Sequence, residues 1–249
     1  MGEIVTLTAM VLSTSNVGDY DRRMVLLTKE RGKISAFAKG ARKPNSPFVA
    51  LCQPFTFGQF AFYEGRNSYN LHHADIHTYF TELREDLERV YYGMYFCEFA
   101  ESITTENNDD TMILKLLYQS LKALSKQSIP LPLVRVIFEI KALAYYGQAM
   151  EVFACTSCKT NEGLQYFYPM GYGVLCETCG KVKVGKIKIK DSTRYTLQYI
   201  LATPLEKLYT FTVKPDVLHE LCQVAKQYVA LCIDKKFKTL DFLESIYAL

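Results

Sequence analysis

Residues Gly18–Lys43 read GDYDRRMVLLTKERGKISAFAKGARK, and the reading of this stretch decides how the N-terminal part of the chain folds. Within it, Lys33-Ile34-Ser35-Ala36-Phe37-Ala38-Lys39 alternates with period two, the pattern of a half-buried strand. Ile34, Ala36 and Ala38 share one face, while Lys33, Ser35, Phe37 and Lys39 share the other. Met24–Thr28 reads as the preceding strand, with Arg31-Gly32 as the turn between the two. From Arg22 to Lys43 eight Lys or Arg stand against one acid, Glu30, a local charge of +7 in a protein whose total is +3. Cations interleaved with an aromatic on an exposed sheet face suit a nucleic-acid strand, because phosphates pair with the charges and bases stack on the ring. A solvated strand face with lysines guarding an edge has the same signature. The stretch alone leaves both readings open.

Working outward, Ile4–Ser13, Phe55–Tyr63 and Tyr69–Ile76 complete a set of five strands within residues 3–76. Turn chemistry separates them at Gly18-Asp19, Lys43-Pro44-Asn45-Ser46-Pro47 and Glu64-Gly65-Arg66-Asn67. Five strands in so short a span suit a small closed barrel, an OB-fold or its competitor, an SH3-like barrel. From Thr81 the period changes to three and four, predicting a helix to about Ile103. Further helices are expected over 113–124, Leu133–Tyr146, Ser192–Ala202, Pro215–Lys235 and Leu240–Ala248. The expected fold class is therefore α+β. Residues 1–79 would form the barrel, a nucleic-acid-binding one if the first reading of the basic stretch holds, and 80–249 a mainly helical domain with an inserted metal segment at about 152–184.

Two cysteine pairs, Cys155-x-x-Cys158 and Cys176-x-x-Cys179, lie 17 residues apart, within the window of a tetrahedral zinc site. Two residues between ligands let one tight turn aim both sulfurs at a single ion. Four thiolates around one Zn²⁺ leave no open position, so such a site is structural and supplies folding energy. A redox dithiol pair or four unrelated buried cysteines are the alternatives. Cys52, Cys97, Cys222 and Cys232 lack this spacing and read as small core residues. The run Lys181–Lys190 alternates Lys with Val or Ile on either side of Gly185. A bulge at that glycine would gather five lysines on one strand face, either a second polyanion surface or a lysine-protected edge.

Composition excludes several classes. Hydrophobic content of 49% suits a packed globular protein, and no apolar run approaches the roughly 18 residues that span a bilayer. The Met1-Gly2-Glu3-Ile4 start lacks the order of a secretory signal. Its weak lipidation pattern at Gly2 conflicts with a buried strand from Ile4. A reducing cytoplasm is expected, where eight cysteines are not a disulfide framework. There is no phosphate-cradling glycine loop and no arguable nucleophile–base pair, and His72, His73 and His77 read as structural, so an enzyme is not expected.

GDYDRR at Gly18–Arg23, TKERGKISAFAKGARK at Thr28–Lys43, the barrel, the helical body and the inserted four-cysteine site together resemble the bacterial recombination mediator family RecO. The resemblance runs end to end. ERGKISAFAKGARK at Glu30–Lys43 is its most specific part, Leu51–Ala74 resembles the family's next two strands, and the cysteines resemble the zinc-bearing branch. Where many relatives continue with a base, this chain reads Pro44-Asn45-Ser46-Pro47-Phe48. The resemblance implies an N-terminal OB-fold, a helical domain carrying one structural Zn²⁺, and a DNA repair function. That function is binding single- and double-stranded DNA and annealing complementary strands. With RecR and usually RecF, the family loads RecA onto DNA coated by single-stranded DNA-binding protein (SSB), whose acidic C-terminal tail is a further partner. It also implies work at the nucleoid. By this analogy Arg22, Arg23, Lys33, Lys39, Arg42 and Lys43 join Phe37 as DNA-contact candidates. Two other classes compete: a zinc-stabilised scaffold whose barrel docks a protein, and a zinc enzyme.

Overall fold

The computed structural model describes residues 3–66, 68–126 and 128–247. The lipidation pattern at Gly2, the turn position Asn67 and the helix end at Ala248 lie outside the described residues. The chain forms two compact units, one from the N-terminal residues to Ser125 together with Phe237 onward, the other Lys126–Lys236.

In the first unit five strands close a barrel in the order β1-β2-β3-β5-β4: β1 (Ile4–Val17), β2 (Asp21–Thr28), β3 (Gly32–Ala38), β4 (Phe57–Glu64) and β5 (Tyr69–Thr78). This is the OB arrangement, with β1 pairing antiparallel to both β2 and β4 and a short parallel contact of β3 with β5 at Ala36 and Phe37. One strand can serve two partners because its register with β2 shifts between Val11 and Ser13, where a bulge bends it. The alternation read in β3 holds, with Ile34, Ala36 and Ala38 buried and Lys33, Ser35 and Phe37 half-buried. Their inner side chains join Leu7, Ala9, Val11, Met24, Leu26, Phe60, Phe62 and Leu71 in the barrel core. Polar residues extend two strands beyond their apolar signal: β1 runs on to Val17, and β2 begins at Asp21 rather than Met24. The ladder from Thr14↔Met24 to Val17↔Asp21 sustains them, whatever their hydrophobicity. A four-residue helix, α1 (Phe48–Leu51), too short to show a period, packs Phe48 and Leu51 against the barrel core.

The helix expected from Thr81 is divided. A 3-10 turn at Thr81–Glu85 precedes α2 (Leu87–Ile103), because Asp86 is extended and its carboxylate accepts from the backbone N–H of Glu88 and Arg89. α3 (Thr111–Leu124) follows, and α8 (Lys238–Tyr247) packs with α2, Phe237 and Phe242 setting rings against Tyr95, Phe99 and Tyr91.

The second unit contains α4 (Leu131–Tyr145), α6 (Asp191–Ala202) and α7 (Pro215–Cys232). Lys141 on α4 is buried, and its ammonium donates to the carbonyls of Ile200, Leu201 and Thr203, satisfying the C-terminal end of α6. Between α4 and α6 lies a small sheet of order β7-β6-β8, formed by β6 (Leu164–Tyr168), β7 (Gly173–Cys176) and β8 (Ile187–Lys188), with the short helix α5 (Glu177–Lys181). The five-lysine strand expected over 181–190 does not form. Lys181 ends α5, where it pairs with Glu177, Gly185 turns the chain at φ +76°, and only Ile187 and Lys188 enter the sheet. The second cysteine knuckle claims residues 177–181 for a helix, and the strand starts too late to gather all five cations. No described helix is long and apolar enough to cross a membrane.

Candidate metal centre and nucleic-acid interface

The sulfurs of Cys155, Cys158, Cys176 and Cys179 all lie within 4.8 Å of one another. Two backbone devices bring them there. After Cys155 the chain folds back, with the Lys159 N–H donating to the Cys155 carbonyl at 2.9 Å and Lys159 itself at φ +64°. Cys176 ends β7 and caps α5, its sulfur 3.5 Å from the Cys179 backbone nitrogen. The Cys155 N–H closes the first knuckle on the Thr160 carbonyl at 2.7 Å, and the knuckles meet where the Thr156 N–H donates to the Val174 carbonyl at 2.9 Å. Gly180 is required for close approach, since a Cβ there would stand 2.2 Å from the Tyr166 ring.

This donor set fits a tetrahedral cation. Sulfurs held about 2.3 Å from one ion sit about 3.8 Å apart along each tetrahedral edge, and the Cys158 and Cys176 sulfurs are 3.7 Å apart. Burial raises the Cys155 thiol, but backbone N–H donors from Cys158, Cys176 and Ser157 outweigh it and bring the pKa down to about 6. At Cys179 the Ser157 hydroxyl lowers the thiol, yet the neighbouring sulfurs prevail and push it up to about 12. Four sulfurs this close cannot all ionise side by side without a cation among them. Cys52 and Cys97 are buried core residues as read, whereas Cys222 and Cys232 are half-buried on α7.

The barrel's basic candidates divide into three groups. Arg23 and Phe37 sit directly opposite each other on the outer face of β2 and β3, and the Arg23 guanidinium donates to the Ser35 hydroxyl at 2.6 Å. Lys39, one step beyond β3 on the same face, is exposed. The second group is the end of this hairpin. There the Arg42 N–H donates to the Tyr20 carbonyl at 2.8 Å, the Arg42 guanidinium reaches the Gly18 carbonyl, and the Lys43 ammonium lies 5.7 Å from the Tyr20 ring centroid. Tyr20 is 53% exposed, and the sequence reading missed it. Its only signal was a place beside Gly18-Asp19, read as a turn and nothing more.

The remaining two candidates face elsewhere. Lys33 donates to the Glu101 carbonyl in the last turn of α2, so its charge is set against a helix C-terminus. Arg22 has the parity of Met24 and Leu26, on the opposite side from Arg23, and lies near enough to Cys52 to lower a thiol that burial pushes up to about 11. Arg31, another cation of the motif, is bound to Glu64 and to the Tyr69 hydroxyl, which raise its pKa. His72 and His77 are exposed, set against Tyr63 and Phe57. The four cysteines are the one metal-competent cluster found among the described residues.

A closed OB barrel with a basic hairpin, joined to helices that carry a four-cysteine cluster positioned for metal binding, defines an α+β barrel protein with a candidate metal site. Residues 1–80 match the family model described as Recombination protein O N terminal, and 84–241 match Recombination protein O C terminal. Relatives named DNA repair protein RecO are similar over nearly the whole chain. Those of Acetivibrio thermocellus and Alkaliphilus metalliredigens are 34% and 32% identical over 95% of this chain and 95% and 97% of their own. That of Bacillus subtilis is 30% identical over 95% of this chain and 94% of its own. The chain belongs to the RecO family of DNA repair proteins.

Proposed function

We propose that this protein is a DNA-binding recombination mediator. It binds single- and double-stranded DNA, anneals complementary strands and, with RecR and RecF, helps to load RecA onto SSB-coated DNA, contacting the SSB tail. The observation that carries this reading is the β2–β3 hairpin, with Arg23, Phe37 and Lys39 on its outer face and Tyr20, Arg42 and Lys43 gathered at its end. Each place pairs a ring for bases with cations for phosphates, Phe37 with Arg23 and Tyr20 with Lys43, as strand binding without sequence preference requires. In this reading 1–79 is the DNA-binding part, and 80–249 is the helical part carrying the metal segment at 152–184.

Annealing makes and breaks no covalent bond. The residues lower the repulsion between two phosphate backbones, which needs neither a nucleophile nor ATP. The ion we assign to Cys155, Cys158, Cys176 and Cys179 is a single structural Zn²⁺: four thiolates match its preference for soft, tetrahedral donors and leave no position for substrate. We place the protein in the cytoplasm, at the nucleoid, where free thiols persist and DNA is at hand.

Anisotropy of a labelled mixed-sequence strand over a salt series, with annealing followed on the same samples, tests the reading. Tight, steeply salt-dependent binding and faster annealing without ATP are expected. No binding at low salt would leave the barrel as a docking surface for a protein.

A further inference from the structure

The segment between α5 and α6 carries cations that the barrel's hairpin does not account for. Of its five lysines two are neutralised: Lys181 pairs with Glu177 at 3.0 Å, and Lys190 with Asp216 at 2.5 Å and Glu220 at 3.6 Å. Lys183, Lys186 and Lys188 have no carboxylate within 4 Å among the described residues. They are not scattered. Lys188 stands directly across the β6–β8 ladder from Tyr166. The Lys186 ammonium lies 5.4 Å from the Tyr166 ring centroid, and that of Lys183 lies 5.9 Å from Tyr168. The turn at Gly185 is closed by the Lys186 ammonium donating to the Lys183 carbonyl at 2.7 Å. Val182 and Val184, 79% and 91% exposed, flank Lys183 at its tip.

This is an unusual way to spend surface. A solubilising lysine is held by nothing, whereas two of these are held over ring faces, whose quadrupole favours a cation and limits the entropy an ammonium loses on meeting a phosphate. Two exposed β-branched side chains at a turn tip serve neither solubility nor the unit's core. They offer apolar surface to a sugar or an unstacked base.

We infer that the metal module is a second DNA-binding surface, in which Lys183, Lys186 and Lys188 hold the phosphates of a single strand beside Tyr166, Tyr168 and the valine tip. The inference rests on the annealing function proposed above and deepens it, since pairing two strands on one protein calls for a second place to hold DNA. The four-thiolate centre then gives a short sheet the rigidity to present its cations. The competing role for these lysines is to offset the charge of the thiolate centre.

The test uses the full-length protein and the triple variant Lys183→Ala, Lys186→Ala, Lys188→Ala, with Lys39→Ala, Arg42→Ala as comparison. Removing one phosphate-binding cation should lower the log–log salt slope for a single strand by about 0.7, so the triple variant's slope should fall by about 2. Its annealing rate should fall at least tenfold, with metal content unchanged. An unchanged slope and rate in the triple variant, while both fall in the barrel variant, would overturn the inference and leave the annealing function standing. Weakened metal retention with unaltered DNA binding would assign the lysines to the thiolate centre instead. No binding by the parent protein would overturn both. Photocrosslinking of a 5-iodo-deoxyuridine strand to the unmutated protein guards against misfolding: a crosslinked peptide within 166–188 is expected, and crosslinks confined to 20–43 would refute the second surface.

Discussion

Gly32 and Thr28 show why the ERGK turn is spelled as it is. Gly32 has φ +61°, and a Cβ added to it would stand 2.3 Å from the Thr105 carbonyl oxygen, in the segment after α2. The residue must adopt a left-handed conformation and lie flush against another backbone, and only glycine does both. Gly32→Ala is expected to cost about 2–4 kcal/mol, the sum of a left-handed alanine and a forced shift of the facing backbone. Denaturant unfolding measures it, and a loss under about 0.5 kcal/mol would mean that the facing loop yields freely. Thr28 is fully buried, and its hydroxyl accepts from the Arg31 N–H and donates to the Gly32 carbonyl, both at 2.9 Å. Thr28→Val keeps shape and strand preference but strands both groups, so a loss of about 1–3 kcal/mol is expected by the same measurement. A neutral outcome would show that water replaces the hydroxyl.

The β2–β3 hairpin is the element on which the DNA-binding proposal stands or falls. Lys39 and Arg42 lie at its end, exposed and without a carboxylate partner among the described residues. Cations placed in this way read phosphates, which every sequence shares. Lys39→Ala with Arg42→Ala should therefore weaken binding to all single strands alike and lower the salt slope by about 1.4, or 0.7 for each cation. Titrating homopolymers against mixed strands checks this, and a loss confined to one sequence would show that the hairpin reads bases. The hairpin was also the most legible element, because strict alternation from Lys33 to Lys39 reports one buried face. The small sheet of β6, β7 and β8 left such a trace only at β8, within the alternation of Lys181–Lys190. Its strands are two to five residues long, and Leu164-Gln165-Tyr166 carries a bulge that breaks the alternation. The cysteines were legible because ligand spacing is local. Tyr20 was not, because its place beside Lys43 is made by a backbone hydrogen bond between residues 20 and 42.

At the scale of the whole molecule, the barrel and the metal module depend on different forces. The barrel buries a core of its own, from Leu7 on β1 to Leu71 on β5, inside a closed ladder with every strand paired on both edges. That core contains none of the four clustered cysteines. The module has a sheet with one strand of two residues and a small buried set around Val152, Leu164, Phe167, Val174 and Leu175. That little apolar area does not offset the conformational entropy of some 40 residues. A tetrahedral ion joining the two knuckles would, and its binding energy would then be folding energy for this segment. Chelation in the presence of a reductant should raise amide exchange across 152–190 and leave 4–78 protected. Protection should also persist in α7, whose Tyr228 meets Phe167 edge-on at 6.0 Å but packs chiefly within the helical part. Hydrogen exchange read by mass spectrometry, with and without chelator, decides the matter. Equal protection of 152–190 in both states would mean that the sheet folds on its own contacts and that the cysteines serve something other than its stability. Loss of protection in the barrel as well would mean that the two parts unfold together, with the metal holding the fold of the entire chain.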